Sequence, residues 1–260
     1  MMNFLNTNVP NPIAFEVFGV SIMWYGILIG LGVLLGEAVV FVRAPKHEIA
    51  SEKTLEILIF SLIMGIIGAR LYYVLFNWSQ FSGDFMAILN IRQGGLAVHG
   101  GLIFGFLTGL LLCILWNIKP LNGFDLFAPG VVLAQAVGRW GNYFNSEAHG
   151  GPTDLPWAII VDGQLVHPTF LYESLWCLFV FFILIFIDNR RKFDGQTFFS
   201  YCALYSLGRF FIEELRTDSL MLGMFKQAQV VSVIAFVACI IALIVFYRRS
   251  QNQGRIFFGR

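Results

Sequence analysis

Tyr205, Arg209, Glu213 and Arg216 recur at steps of four, four and three residues in CALYSLGRFFIEELRTD. At about 100° per residue these side chains share an arc of roughly 80° on a helix. An otherwise apolar segment therefore carries one polar face. Arg209 and Glu213 stand at i, i+4, where a helix lets them pair. Arg209 and Arg216 together outweigh the one Glu213, which suits an anion. Gln135, Arg139 and Asn142 share a second face in VLAQAVGRWGNYFNSEAHGG, which then breaks into a loop with Glu147, His149, Gly150 and Gly151. RQGGLAVHGG sets His99, Gly100 and Gly101 at the mouth of another apolar run, and Tyr25 stands near the start of the first. Arginine forks grip phosphate through paired N–H donors. A histidine can take a proton near neutral pH. Glycines permit close backbone approach, and a helix N-terminus favours an anion. The combination fits an anionic amphiphile, most simply a phospholipid headgroup. A structural ion pair at Arg209–Glu213 stands beside that reading. Two functions stay open: an enzyme acting on such a lipid, or a transporter carrying it.

The elements that must position these groups follow from composition. The chain has 260 residues, 57% hydrophobic and 13% charged, where soluble domains carry about 25% charged residues. Runs of about 20 apolar residues read as membrane spans. Seven are drawn, at 17–42, 55–76, 96–116, 123–143, 169–187, 197–215 and 230–247. In hydrocarbon the backbone must pair internally, so runs of this length are helices. The expected fold is an all-α polytopic membrane protein of about seven transmembrane helices, one integral membrane domain over residues 1–260. Arg70, Arg139, Arg209 and Glu213 fall within or at the ends of these runs. Intramembrane charges are costly and usually line a cavity with partners.

Lysine and arginine orient the bundle. One set of loops holds Arg43, Lys46 and Lys53, then Lys119, then Arg190, Arg191 and Lys192, then Arg248, Arg249, Arg255 and Arg260. The other holds Arg92, Arg216 and Lys226. The first set is expected on the cytoplasmic side, with the N-terminus outside and the C-terminus inside. The loop at 144–168, between helices four and five, is then an outer-face cap, with a short strand-like alternation. Its neighbours Arg139, Arg209 and His99 fall toward the same outer side. No basic n-region precedes the first run, so that helix is expected to be retained.

Several classes are disfavoured. A formal net charge of +1 and no basic run with interleaved aromatics give no sign of nucleic acid. Cys113, Cys177, Cys202 and Cys239 all lie in apolar runs without CxxC spacing, which disfavours disulfides and metal. Neither GxSxG nor HExxH occurs. The small-residue pairs Gly26/Gly30, Gly32/Gly36 and Gly101/Gly105/Gly109 are explained by helix packing alone. No repeat or inverted symmetry appears, whereas a transporter would place its site between two related halves.

GRWGNYFNSEAHG resembles the GRxGNxxNxExxG signature of the prolipoprotein diacylglyceryl transferase family. RQGGLAVHGGL is similar to that family's His-Gly-Gly segment, and HPTFLYES, GRFFIEELR and WYG to further family blocks. These matches run from Trp24 to Arg216. The resemblance implies a multi-pass enzyme of the bacterial inner (plasma) membrane. It would move diacylglyceryl from phosphatidylglycerol to the lipobox cysteine thiol of a preprolipoprotein and release glycerol 1-phosphate. No metal or organic cofactor is implied. On this reading His99 accepts the thiol proton, directly or through water. Arg139 and Arg209 hold the lipid phosphate, and Asn142 and Tyr25 orient the headgroup. Glu147 and Glu213 position the arginines, Gly150 lets the cap loop pass close to substrate, and Tyr205, Arg216, Gly100 and Gly101 support the site.

Overall fold

The computed structural model describes residues 10–91 and 94–258, with side chains through residue 252. Arg92, Arg260, the Arg255 side chain and the stretch before residue 10 lie outside the described residues. In chain order the elements are β1 Ile13–Val17, β2 Val20–Met23, α1 Trp24–Arg43, α2 Ser51–Phe76, α3 Trp78–Phe81, α4 Phe85–Leu89, α5 Val98–Leu115, α6 Pro120–Gly138, α7 Trp140–Phe144, β3 Ile159–Val161, β4 Gln164–Val166, α8 Thr169–Asn189, α9 Gln196–Leu215, β5 Met221–Leu222, β6 Phe225–Lys226 and α10 Gln227–Phe258.

Six helical segments among the described residues are long and apolar enough to cross a membrane: Trp24–His47, Ser51–Phe76, Val98–Leu115, Pro120–Phe144, Thr169–Asn189 and Gln227–Asn252. The remaining apolar run forms α9, a 20-residue helix that carries Arg209, Glu213 and Glu214. The protein is thus a mostly helical, multi-pass membrane protein. The first run differs from expectation at its start. Residues 17–23 are not helical: Val17 pairs with Val20 in an antiparallel hairpin, and Phe18 and Gly19 take φ of 50° and 76° at its tip. Two residues with positive φ form the preferred hairpin turn. The apolar Phe15, Val17, Phe18 and Val20 are all exposed, so hydrophobicity alone disguised a strand as the start of a helix.

The described residues form two compact units, one drawn from residues up to 39 and from 124 onward, the other Val40–Gly123. In the second unit α2 and α5 meet backbone to backbone. A Cβ on Gly100 would strike the Gly68 carbonyl, one on Gly68 would strike the Phe104 ring, and one on Gly101 would lie 3.4 Å from the Gly65 carbonyl. Such contact requires small residues and is what a membrane helix interface uses. Arg70, on α2, sends its guanidinium to main-chain carbonyls of the segment leading into α5.

In the first unit α1 packs on α6, where a Cβ at Gly32 would sit 2.8 Å from the Ala134 carbonyl and one at Gly36 2.6 Å from that of Gly130. Gly26 and Gly30 have no such neighbour among the described residues. Ala128, Val132 and Ala136 of α6 form a core with Cys177, Val180 and Leu184 of α8. Both ends of α9 are fastened. At its start, buried Asp125 accepts from the Gly195 and Phe198 amides at 2.7 and 2.8 Å, and Arg191 lies 3.3 Å away. These amides are among the orphan donors of a helix N-terminus. At its end, the Lys226 ammonium donates to the carbonyls of Glu213, Glu214 and Arg216 at 2.8, 2.9 and 3.0 Å, where a cation also complements the helix dipole.

Candidate active site

The centre of the polar site is Glu173, one turn into α8 and only 4% exposed. One of its carboxylate oxygens lies 2.7 Å from Arg139, at the junction of α6 and α7; the other lies 2.7 Å from Arg209 on α9. Arg209 also pairs with Glu213 one turn further on, at 2.5 Å. Arg139 donates to the Tyr205 hydroxyl at 3.0 Å. Arg139 and Arg209, 70 residues apart in sequence, therefore share one buried carboxylate. Charge-assisted pairs of this kind are strong and directional. The polar face read on α9 is real, and Tyr205, Arg209 and Glu213 all use it.

The α6–α7 break at Arg139 is held by α8. Trp140 donates its indole N–H to Ser174 at 3.1 Å, and Ser174 donates to the Ala136 carbonyl at 2.8 Å. Ser174 follows Glu173 directly, so one turn of α8 fixes both the arginine and the break beside it. Phe170 packs its ring edge-on to that of Trp140 at 5.4 Å.

Arg216 closes the cluster. Its fork binds Asp218 with two hydrogen bonds of 2.9 and 2.8 Å, and it stands 3.7 Å from Glu173 and 3.9 Å from Glu213. Those hydrogen bonds hold the Asp218 carboxyl below the usual carboxylate range, against the smaller opposing effect of partial burial. This corrects the expected charge balance. Arg139, Arg209 and Arg216 meet Glu173, Glu213 and Asp218, three cations against three carboxylates, so the cluster holds no net positive excess.

Glu147 and Gly150 meet partners other than those expected. Among the described residues Glu147 contacts no arginine; it accepts from the Asn142 and Asn145 side-chain amides at 2.8 and 3.4 Å. It therefore orients Asn142. Gly150 approaches protein, not open space. It pairs in an isolated bridge with Arg216 and donates to the His167 carbonyl at 2.9 Å. A Cβ there would lie 2.6 Å from His167 Cβ and 2.9 Å from the Leu215 carbonyl. Its neighbour Gly151 donates to that Leu215 carbonyl at 3.0 Å, so the loop is stitched to the end of α9. Beyond it, Ile159–Val161 and Gln164–Val166 form the hairpin that the alternation indicated. Tyr25 packs its ring against Gly141, whose added Cβ would be 2.5 Å from it. His99, in the other unit, stands exposed in the first turn of α5, its ring 6.3 Å from that of Tyr72. Gly100 and Gly101, next to it, are occupied in packing against α2.

Glu173, Asp218 and Lys226 were not singled out from sequence. Glu173 had a signal: it is the one carboxylate in the apolar run 169–187, and a membrane-buried ionisable residue is a site candidate by default. Asp218 and Lys226 act through loop and backbone contacts, for which spacing carries no sign.

Fold and site together define a multi-pass membrane protein with a buried arginine–carboxylate centre. The family model described as prolipoprotein diacylglyceryl transferase matches residues 12–245. The chain is 48% identical over 241 residues to the phosphatidylglycerol–prolipoprotein diacylglyceryl transferase of Clostridioides difficile, covering 93% of this chain and 97% of that one. It is 48% identical to the enzyme of that name from Finegoldia magna, with 91% and 96% covered, and 43% identical to that of Staphylococcus aureus, with 94% and 92% covered. The chain belongs to the prolipoprotein diacylglyceryl transferase family and is a transferase of lipoprotein biosynthesis.

Proposed function

We propose that this protein transfers the diacylglyceryl group of phosphatidylglycerol to the lipobox cysteine thiol of a preprolipoprotein, the first step of bacterial lipoprotein maturation. The observation that carries this reading is the convergence of Arg139 and Arg209 on Glu173. Two guanidinium groups on separate helices, held by one carboxylate, suit a phosphodiester. In the reaction the cysteine sulfur forms a bond to the terminal glyceryl carbon. The bond from that carbon to the phosphate oxygen breaks, its electrons stay on oxygen, and glycerol 1-phosphate leaves. Arg139 and Arg209 stabilise the charge that grows on the departing phosphate. Tyr205 and Asn142 orient the arginine and the headgroup. The nucleophile is the thiolate, and His99 accepts the thiol proton. The substrate supplies the thiol; Cys113 and Cys177 of this chain are buried in their helices.

The lysine and arginine distribution supports a bacterial inner membrane protein with α9 as a seventh span, N-terminus outside and basic loops in the cytoplasm. The test is mass spectrometry of a lipobox peptide incubated with purified protein and phosphatidylglycerol. A gain of one diacylglyceryl unit on Cys, absent with a Cys→Ser peptide and lost with Arg139→Ala, is the expected result. Bound lipid and peptide without any adduct would overturn the reading and favour transport.

A further inference from the structure

Arg70 is 8% exposed on α2, and every N–H of its guanidinium meets a main-chain carbonyl. Nε donates to Ile88 at 2.8 Å. Nη1 donates to Gly94 at 3.0 Å and Gly95 at 2.9 Å. Nη2 donates to Ala87 at 2.7 Å and Asn90 at 3.0 Å. A guanidinium has five N–H donors in a fixed fork, and all five are used here. The Phe81 ring lies 5.0 Å from the guanidinium carbon. Arg70 is therefore saturated and has no donor left for a substrate anion.

The carbonyls it gathers belong to the segment that leads into α5. Gly94 and Gly95 take φ of 86° and 75° to turn theirs inward, a conformation glycine adopts without strain. A Cβ on Gly95 would collide with the guanidinium itself. The residue before it on α2 continues the fastening, since the Ala69 carbonyl accepts from the Ala97 amide at 3.0 Å. Gly100 then seats against Gly68. His99 thus stands between two anchored neighbours while its own side chain stays exposed.

We propose that Arg70 is a positioning residue: a five-point clamp on Ala87, Ile88, Asn90, Gly94 and Gly95 that fixes where α5 begins and so where the His99 imidazole points. The proposal rests on the reading of His99 as proton acceptor. A misplacement of about 1 Å in a reacting group can lower a rate about 100-fold. A lysine keeps the charge but offers only three donors from one point, and cannot span five carbonyls.

The experiment is a double-mutant cycle of Arg70→Lys and His99→Gln in the full-length protein in detergent. Turnover of phosphatidylglycerol and lipobox peptide is read with amide hydrogen exchange. Arg70→Lys alone should raise exchange within residues 87–101 and lower kcat about 10- to 100-fold, with KM for phosphatidylglycerol within about twofold. In the His99→Gln background it should change kcat by less than about twofold, because coupled residues are not additive. Equal losses in both backgrounds would overturn the clamp's action through His99 and leave the histidine's role standing. Full turnover by His99→Gln alone would overturn the acceptor reading, and this proposal with it. Gly95→Ala disturbs the clamp from the loop side and must reproduce the Arg70→Lys pattern if the Lys variant does not fold; its failure to do so would equally overturn the proposal.

Discussion

Glu173 and Arg209 are joined across α8 and α9 by a 2.7 Å ion pair with the carboxylate almost wholly buried. Removing one partner of such a pair costs about 3–5 kcal/mol, because the other charge stays buried and uncompensated. Glu173→Gln leaves Arg139 with no carboxylate partner among the described residues and Arg209 with Glu213 alone. The expected result is a thermal midpoint lowered by several degrees and a turnover loss of at least about 100-fold. A thermal scan in detergent beside the lipobox peptide assay checks it; a variant with normal stability and normal turnover would refute the central place given to Glu173.

Tyr205→Phe isolates one hydrogen bond. The hydroxyl accepts from Arg139 at 3.0 Å, and a bond to a charged donor contributes about 1.5–3 kcal/mol. Turnover should fall about tenfold, and the thermal midpoint by a few degrees, because the Arg139 donor loses its acceptor while the ring remains. Steady-state kinetics decides, and an unchanged kcat/KM would place Tyr205 outside the catalytic geometry.

Gly150→Ala should act through Leu215 and Arg216. The added Cβ falls 2.6 Å from His167 Cβ and 2.9 Å from the Leu215 carbonyl. Overpacking of this kind costs about 1–3 kcal/mol, and the cheapest relief is to lift the loop off the end of α9. Exchange at the Gly151 amide, which donates to Leu215, should rise together with a loss of turnover.

Asp218 gives a pH dependence of known sign. Arg216 holds its folded pKa below the ordinary value, so the bond's contribution is complete above about pH 4, the unfolded carboxylate value. It is lost as pH falls through the lowered folded pKa. The Asp218 side chain is 49% exposed, so solvent screening keeps the contribution below about 1 kcal/mol. The stability difference between wild type and Asp218→Asn should be small and level from neutral pH to about 5, then fall away as pH drops below the unfolded carboxylate value of about 4. Denaturation at stepped pH measures it; a difference that grows on acidification would reverse the assigned sign.

Asp125 separates scaffold from chemistry. It lies 14 residues before Arg139, roughly 20 Å along the helix axis at 1.5 Å per residue. Asp125→Asn keeps one acceptor but loses charge against the Gly195 and Phe198 amides and Arg191. A loss of about 1–2 kcal/mol, the upper range for a helix cap, is expected without a change in KM for phosphatidylglycerol. A raised KM would show that the start of α9 reaches the headgroup site.

Much of this was readable from residue order because membrane helices announce themselves by hydrophobic length. Arg139, Arg209 and Glu213 were readable because charge in such a run is costly. Tyr205 was readable by spacing alone. The start of α1 was not: the strands Ile13–Val17 and Val20–Met23 are as apolar as the helix they precede. Glu173 is less legible because a single acid on an apolar helix has no local partner; its three arginine partners come from elements distant in sequence. Gly150 was recognised as a close-approach position, but only the fold reveals that protein backbone does the approaching. Gly100 likewise belongs to the seam with Gly68.

The balanced charges at Glu173 have a consequence for how a lipid could be held. An arriving phosphodiester finds guanidinium groups that already have anions, so on the proposed reading its capture is a swap of counterions. The free energy of binding is then the difference between two pairings, each large, and the net is modest. A carboxylate set free by the swap is a base that did not exist in the resting protein. Such a site would let go of its spent phosphate as readily as it took up the intact lipid, with Glu173 returning to the arginines as the product departs.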